Sequence, residues 1–266
     1  MVKMDGGKNH KNINSDNQEL YPDFFARFYD LIYHQMRDGI DNLFYLNNIL
    51  KTKGKILEVG TGTGRLFTEA LKNGADIYGI DISPSMIEVL KAKLNTDQQK
   101  RISLQNIVNF SFNTRFDLII APFRVFMHLI FKDDQMKALD NIYSNLNTGG
   151  FFIFDLFIPD LKMLVTGLDN VTDFDGEYEP GCRLRRIVTT KPDLINQLIN
   201  ITFRMEWNDK KGDHAEEWNT SLRYFFRFEL EHLLERSKFK DFKITGDFMG
   251  NELNSDSKEF IILCKK

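Results

Sequence analysis

The sequence predicts an α/β fold, a mostly parallel sheet with helices on both faces, into which an antiparallel β segment is inserted. Three observations carry this. The run Lys55-Ile56-Leu57-Glu58-Val59 ends in Gly60-Thr61-Gly62-Thr63-Gly64 and passes at once into a helical pattern, so it reads as strand, tight turn, helix. A second apolar run, Asp76-Ile77-Tyr78-Gly79-Ile80-Asp81, ends on a carboxylate and leads into another helical stretch. From about residue 173 to 227 the hydrophobic period becomes two, with Ile201, Phe203, Met205 and Trp207 alternating with Thr202, Arg204 and Glu206.

Glycines at alternate positions let the backbone take positive φ and approach a ligand closely, and the helix that follows aims unsatisfied N–H groups at an anionic group. A dinucleotide site spaces its glycines G-x-G-x-x-G so that a pyrophosphate rests on the helix N-terminus. Here the spacing is G-x-G-x-G and Arg65 stands where that third glycine belongs, which argues against nicotinamide and flavin chemistry. Asp81, at the tip of the second strand, is placed to accept both hydroxyls of a ribose.

The remaining elements follow in order. Residues 1–19 have almost no apolar content and are expected to be a mobile tail. An aromatic-rich helix begins near Tyr21. A second helix is expected over 38–50, with Ile40, Leu43, Phe44 and Leu50 as its packing face. After the glycine loop, Leu66, Phe67, Ala70 and Leu71 form a buried stripe that Asn73-Gly74 ends. Ser83-Pro84 reads as N-cap and first helical residue, ahead of the stripe Met86, Ile87, Leu90 and Leu94. A short third strand covers 102–105 and a fourth begins at Phe116. A helix over 134–146 is stopped at Thr148-Gly149-Gly150, and the apolar run 151–157 suits a buried parallel strand. The inserted segment reads as about three antiparallel strands. In it Arg183, Arg185 and Arg186 are a solvated strand face or a seat for an acidic substrate. Helical character returns over 228–237, and a last strand runs from 258 to 264.

Taken together, Glu58-x-Gly60-x-Gly62-x-Gly64 and Asp81 resemble the nucleoside-binding motifs of the class I S-adenosylmethionine-dependent methyltransferases of small-molecule type, over residues 21–161 and 224–266. The resemblance implies a Rossmann-like methyltransferase fold with a mostly parallel seven-stranded sheet. It implies S-adenosylmethionine as cofactor, S-adenosylhomocysteine as product, and in-line transfer of a methyl group to nitrogen or oxygen of a small-molecule acceptor. Glu58, Gly60, Thr61, Gly62, Gly64 and Asp81 are then cofactor-binding. Ile82 and Met86 flank the adenine, and Asn106, where many members carry Asp, accepts from the adenine amino group with Ile107 beside it. The segment Ala26-x-x-Tyr29-Asp30 resembles the helix from which a tyrosine, here Tyr29, reaches the cofactor. Pro122 lines the cleft. Members that methylate base amines or glutamine amides carry Asn/Asp-Pro-Pro-aromatic after the fourth strand, and Ala121 and Phe123 depart from that pattern. Phe123 is instead expected as an aromatic wall for substrate, Arg124 as a cation for an acidic substrate group or a structural carboxylate, and Tyr33 as the opposite wall. His128, with an ordinary pKa near 6.5, is the candidate proton acceptor. An RNA or protein methyltransferase, or a cofactor-binding protein without catalysis, is the alternative.

Composition bounds the partners. The 266 residues are 42% hydrophobic and carry a net charge of −3, so no overall positive field exists to grip nucleic acid. Cys182 and Cys264 are too few for a disulfide framework and lack metal-ligand spacing, which fits a reducing cytoplasm and no metal. No apolar run reaches membrane-spanning length. The expected organisation is a tail over 1–19, a cofactor domain over 20–168 and 228–266, and an inserted β cap over 169–227. The apolar face of that cap needs cover, from the main domain or from a second subunit in a homodimer through the inserted sheet.

Overall fold

The computed structural model describes residues 20–36 and 39–266; the expected tail and Asp38 lie outside the described residues. Two helices, α1 (Asp23–Met36) and α2 (Ile40–Lys51), precede the first strand, β1 (Ile56–Val59). Then come α3 (Arg65–Lys72), β2 (Ile77–Asp81), α4 (Pro84–Lys91), the short α5 (Thr96–Gln99), β3 (Ile102–Leu104) and β4 (Phe116–Ala121). A 3-10 turn over Val125–His128 leads to α6 (Lys132–Asn145) and β5 (Leu146–Phe157). The short α7 (Leu161–Thr166) opens the insertion, which holds β6 (Leu168–Glu179), β7 (Cys182–Asp193), β8 (Leu198–Asp209) and β9 (Gly212–Arg223). The chain closes with α8 (Arg227–Arg236), β10 (Asp241–Thr245) and β11 (Glu259–Lys265).

Seven strands form one sheet in the order β10-β11-β5-β4-β1-β2-β3, parallel except for β11, which runs against both neighbours. All four residues of β1 are buried, as a central parallel strand requires. Successive side chains alternate between two cores. Leu57 and Val59 join Phe116, Phe152 and Phe154 under α6 and α8, whereas Ile56 joins Leu118 and Ile120 under α2, α3 and α4. β1 has β2 on one side and β4 on the other, so the strand order reverses there. A sheet of this kind takes its ligand beyond the carboxyl ends of the strands at that reversal.

The stripes of α3 and α4 are those the periodicity predicts, and the Ser83 hydroxyl caps α4 by accepting from Met86 N. In α2 the structure corrects the expected face. Tyr45, Leu46 and Ile49 are buried, while Ile40, Leu43 and Leu50 are exposed and Phe44 is only partly covered. Apolar residues ring this short helix, and the orientation is decided by Tyr45, whose hydroxyl donates to the buried Asp155 carboxylate of β5 at 2.6 Å.

The insertion has four strands, in the order β6-β7-β8-β9, rather than about three. β6 carries a single buried apolar residue, Phe174, so its sequence shows no alternation to read. The inward face of the sheet, with Leu184, Met205, Trp207 and Trp218, packs on Phe25, Phe28 and Ile32 of α1. The main domain, one of the two covers expected for that face, is thus the one seen, through α1. Arg183 and Arg185 are exposed, but Arg186 shares the inward parity of Leu184 and Val188. It makes a two-point pair with Asp173 at 2.9 and 2.8 Å and lies over the rings of Tyr33 and Phe203.

On its other side α1 is tied to the nucleotide half of the sheet. The Thr63 hydroxyl donates to Asp30 at 2.6 Å, and Lys93 reaches both Asp30 and the Thr63 carbonyl. Just ahead of the helix, the Tyr21 carbonyl accepts from the Ser83 hydroxyl at 3.1 Å.

Candidate active site

The glycine loop is a tight turn fixed by main-chain bonds, with Gly60 N and Thr61 N both donating to the Ile80 carbonyl and Gly64 N to that of Thr61. Gly60, Gly62 and Gly64 all have positive φ, at 69°, 55° and 82°. They answer different needs. A Cβ on Gly60 would fall 2.4 Å from Val125 Cγ2 and one on Gly64 2.1 Å from Leu90 Cδ1, so these two permit packing behind the loop. A Cβ on Gly62 would meet nothing nearer than the loop's own Gly60 carbonyl at 4.0 Å, so this residue faces open space. Asp81 accepts from Gly62 N at 2.7 Å and from Ser83 N at 2.8 Å, which holds its carboxylate beside the loop.

Beyond β4 the chain makes a turn in which Phe123 (φ 60°) and Arg124 (φ 68°) are both left-handed. Each such residue costs of the order of 1–3 kcal/mol. Phe123 N donates to Asp155 at 2.8 Å, and the Arg65 guanidinium lies 4.2 Å from the Phe123 ring centre. Arg124 pairs with Glu259 of β11 at 2.6 Å.

These elements enclose a cavity of about 540 Å³, within the roughly 300–1,000 Å³ of small-molecule sites. Of the residues expected at the cofactor, Tyr29, Gly60, Thr61, Gly62 and Asp81 line it. So do Ile82, Met86, Asn106, Ile107 and Pro122, and of the expected acceptor residues Phe123 and His128. Glu58 and Gly64 do not reach the wall. Glu58 is buried beneath the loop, and its Oε2, like the Thr61 hydroxyl oxygen, has no hydrogen-bond partner.

Four of the expected residues have surroundings that bear on their roles. Arg124 turns away from the cavity to Glu259, a structural carboxylate, which is one of its two expected partners. Tyr33 lies outside the cavity lining, packed against Tyr29 at 4.4 Å and under Arg186. The Asn106 side-chain carbonyl, expected to take the adenine amino group, accepts from Val108 N at 3.1 Å and closes its own turn. Burial lowers the His128 pKa to about 4, which favours the neutral imidazole at pH 7 and makes it a weak base.

Burial acts on other ionisable groups of the site in the same sense, against their charged forms. Burial pushes the Glu58 carboxyl well above the usual carboxylate range, against smaller opposing effects of Thr61 and Arg65. It raises Asp81 too, opposed by the N–H groups of Ser83, Gly62 and Ile82. Burial likewise holds the Tyr21 phenol well above its ordinary value. The cavity is therefore a low-dielectric site.

Sequence reasoning missed Tyr21 and Trp218. The Tyr21 hydroxyl lies 3.4 Å from His128 Nε2, and its ring packs on Trp218 with centres 4.4 Å apart. Trp218 is the one cavity-lining residue contributed by the inserted sheet among the described residues. Its strand, GDHAEEWNTSLR, has no apolar alternation, although a lone Trp in a polar strand was a signal that could have been read.

A family model described as "Methyltransferase domain" matches residues 56–150. The chain is 32% identical over 244 residues to the glycine/sarcosine N-methyltransferase of Parasynechococcus marenigrum, an alignment covering 90% of this chain and 82% of that protein. Among solved structures it resembles an S-adenosylmethionine-dependent methyltransferase from Clostridium acetobutylicum, with TM-score 0.72, 20% identity, and 91% and 97% of the two chains covered. It also resembles the sugar N-methyltransferase KedS8 from Streptoalloteichus, with TM-score 0.71, 15% identity, and 100% and 99% covered. Glycine loop, sheet order and these similarities agree: the chain belongs to the class I S-adenosylmethionine-dependent methyltransferases, enzymes that take their methyl group from S-adenosylmethionine.

Proposed function

We propose that this enzyme methylates the amine nitrogen of a small molecule held between the post-β4 turn and α1, under the inserted sheet. The carrying observation is the aromatic lining of the cavity: Tyr21, Tyr29 and Trp218 all line it, and the Tyr21 ring packs on Trp218 and against a buried His128. An amine gains positive charge as it is methylated, and aromatic faces stabilise a cation by about 0.5–2 kcal/mol. The relative named for N-methylation of glycine and sarcosine, and the neighbour named for sugar N-methylation, are in keeping with nitrogen as the acceptor.

In this reading the bound cofactor supplies an electrophilic methyl on a sulfonium. Asp81 takes the ribose hydroxyls, and Ile82, Met86 and Ile107 enclose the adenine. The chain's remaining contribution is alignment in a site that excludes water, which can supply on the order of 7–11 kcal/mol. No resident base is needed when the amine arrives uncharged. Residues 20–168 and 228–266 act as the cofactor domain, and 169–227 as the acceptor cap.

A methyl-transfer screen over small amines, phenols and carboxylates tests the reading. Transfer to amines, with S-adenosylhomocysteine formed in equal amount, is the expected result. Transfer confined to phenols or carboxylates would move the acceptor atom to oxygen.

A further inference from the structure

Among the described residues, Phe123 and Arg124 are the only two consecutive non-glycine residues with positive φ. Neither side chain favours that conformation, so something must hold it. Each residue is met by a carboxylate from the sheet. Asp155 of β5 accepts the Phe123 N–H at 2.8 Å on the same oxygen that takes the Tyr45 phenol at 2.6 Å. Glu259 of β11 takes the Arg124 guanidinium at 2.6 Å. The two strands are neighbours, with Glu259 opposite Phe157, and the guanidinium also lies over the Phe157 ring. Rigid strands thus grip a turn that would otherwise relax.

That turn borders both halves of the cavity. The space in front of Gly60 is filled by Val125, the first residue after the turn, leaving no room for even one Cβ. Three residues further on, His128 lines the cavity beside Tyr21. A shift of the turn would move the wall against the glycine loop and the acceptor wall together.

We propose that Asp155 and Glu259 are positioning residues for methyl transfer, which act by holding the strained Phe123–Arg124 turn and so fix the His128 wall relative to the glycine loop. Neither residue lines the cavity, so they work through the turn alone. The inference rests on reading this cavity as the methyl-transfer site.

The test compares variants of the full chain by cofactor affinity, measured calorimetrically, and by turnover of whichever acceptor the screen identifies. Arg124→Ala removes the ion pair but keeps a Cβ in the left-handed region. Arg124→Gly removes the same pair and takes φ near +68° freely. Arg124→Ala and Glu259→Ala are expected to lower kcat about ten- to a hundredfold and to weaken cofactor binding measurably. Arg124→Gly should stay within about twofold of the parent, and adding Glu259→Ala to it should change nothing further, because Glu259 acts through Arg124. Asp155→Asn, which keeps an accepting oxygen for Phe123, should retain function where Asp155→Ala loses it. Arg124→Gly as impaired as Arg124→Ala, or Glu259→Ala still harmful in the glycine background, would overturn the proposal. If Asp155→Ala does not fold, the two Arg124 variants decide it. Failure of the parent to methylate any amine would count against the acceptor class, whereas the cofactor affinities of the Arg124 pair would still decide the role of the turn.

Discussion

The Tyr21 hydroxyl stands 3.4 Å from His128 Nε2, and both groups are held in their neutral forms by burial. The tautomer of the neutral imidazole decides which of the two donates across this contact. A general base works best with a pKa near the operating pH, and a value of about 4 leaves His128 far from that. His128→Ala is therefore expected to lower kcat by no more than about tenfold, with an unchanged pH–rate profile, instead of the roughly 10²–10⁴-fold loss of a true base. An inflection near pH 6.5 that disappears in the variant would restore His128 as the proton acceptor.

The same group leaves a mark on stability. Its folded pKa lies below the unfolded value, so the unfolded chain binds the extra proton, and stability falls as pH drops from about 6.5 towards 4. Urea midpoints of the parent should decline more steeply over that window than those of His128→Asn. Parallel curves would show that His128 is not desolvated as described.

Asp81 is expected to govern the cofactor. Charge-assisted hydrogen bonds contribute about 1.5–3 kcal/mol each, and about 1.4 kcal/mol is a factor of ten in affinity. Asp81→Ala should weaken S-adenosylmethionine binding at least tenfold in calorimetry, the more so because Gly62 N and Ser83 N lose their acceptor. Unchanged affinity would remove Asp81 from the site.

The glycines separate packing from binding. Gly60→Ala should lower the melting temperature through its contact with Val125, and Val125→Ala should restore part of the loss. Gly62→Ala should fold, at a cost of about 1–2 kcal/mol for its positive φ, and lose cofactor affinity. If Gly60→Ala instead keeps its stability and loses only affinity, the assignment of the two glycines is reversed.

The inserted sheet should not be removable. Met205 is fully buried against α1, and Met205→Ala should cost about 2–5 kcal/mol. Replacing residues 168–223 by a short linker would expose Phe25, Phe28 and Ile32 and should yield aggregated protein, whereas Trp218→Ala should change acceptor preference and leave cofactor affinity intact. A soluble deletion variant that binds cofactor normally would show that α1 stands without the sheet.

The glycine loop and Asp81 were legible because their chemistry is local, a spacing and a strand end that need no distant partner. The seven-stranded, mostly parallel sheet followed from the resemblance that the same motif carries. What stayed hidden depended on contacts far along the chain. Tyr45 outranked Ile40, Leu43 and Leu50 through Asp155, 110 residues away. Arg124 looked available until Glu259, 135 residues away, met it. His128 was read at its ordinary pKa because burial is not written in the neighbouring residues. Arg186 could have been separated from Arg183 and Arg185, since its parity with Leu184 and Val188 was already visible.

Helix α1 is gripped on both sides, by the aromatic face of the inserted sheet and, through Asp30, by Thr63 and Lys93 of the nucleotide half. The insertion is therefore not a cassette. Strands transplanted from a relative would arrive shaped to another helix, and any misfit would be passed by Asp30 to the glycine loop. On the proposed function, a change of acceptor is expected to alter the sheet and α1 together, and to carry with it Tyr21 and Tyr29, which belong to that same segment and line the cavity.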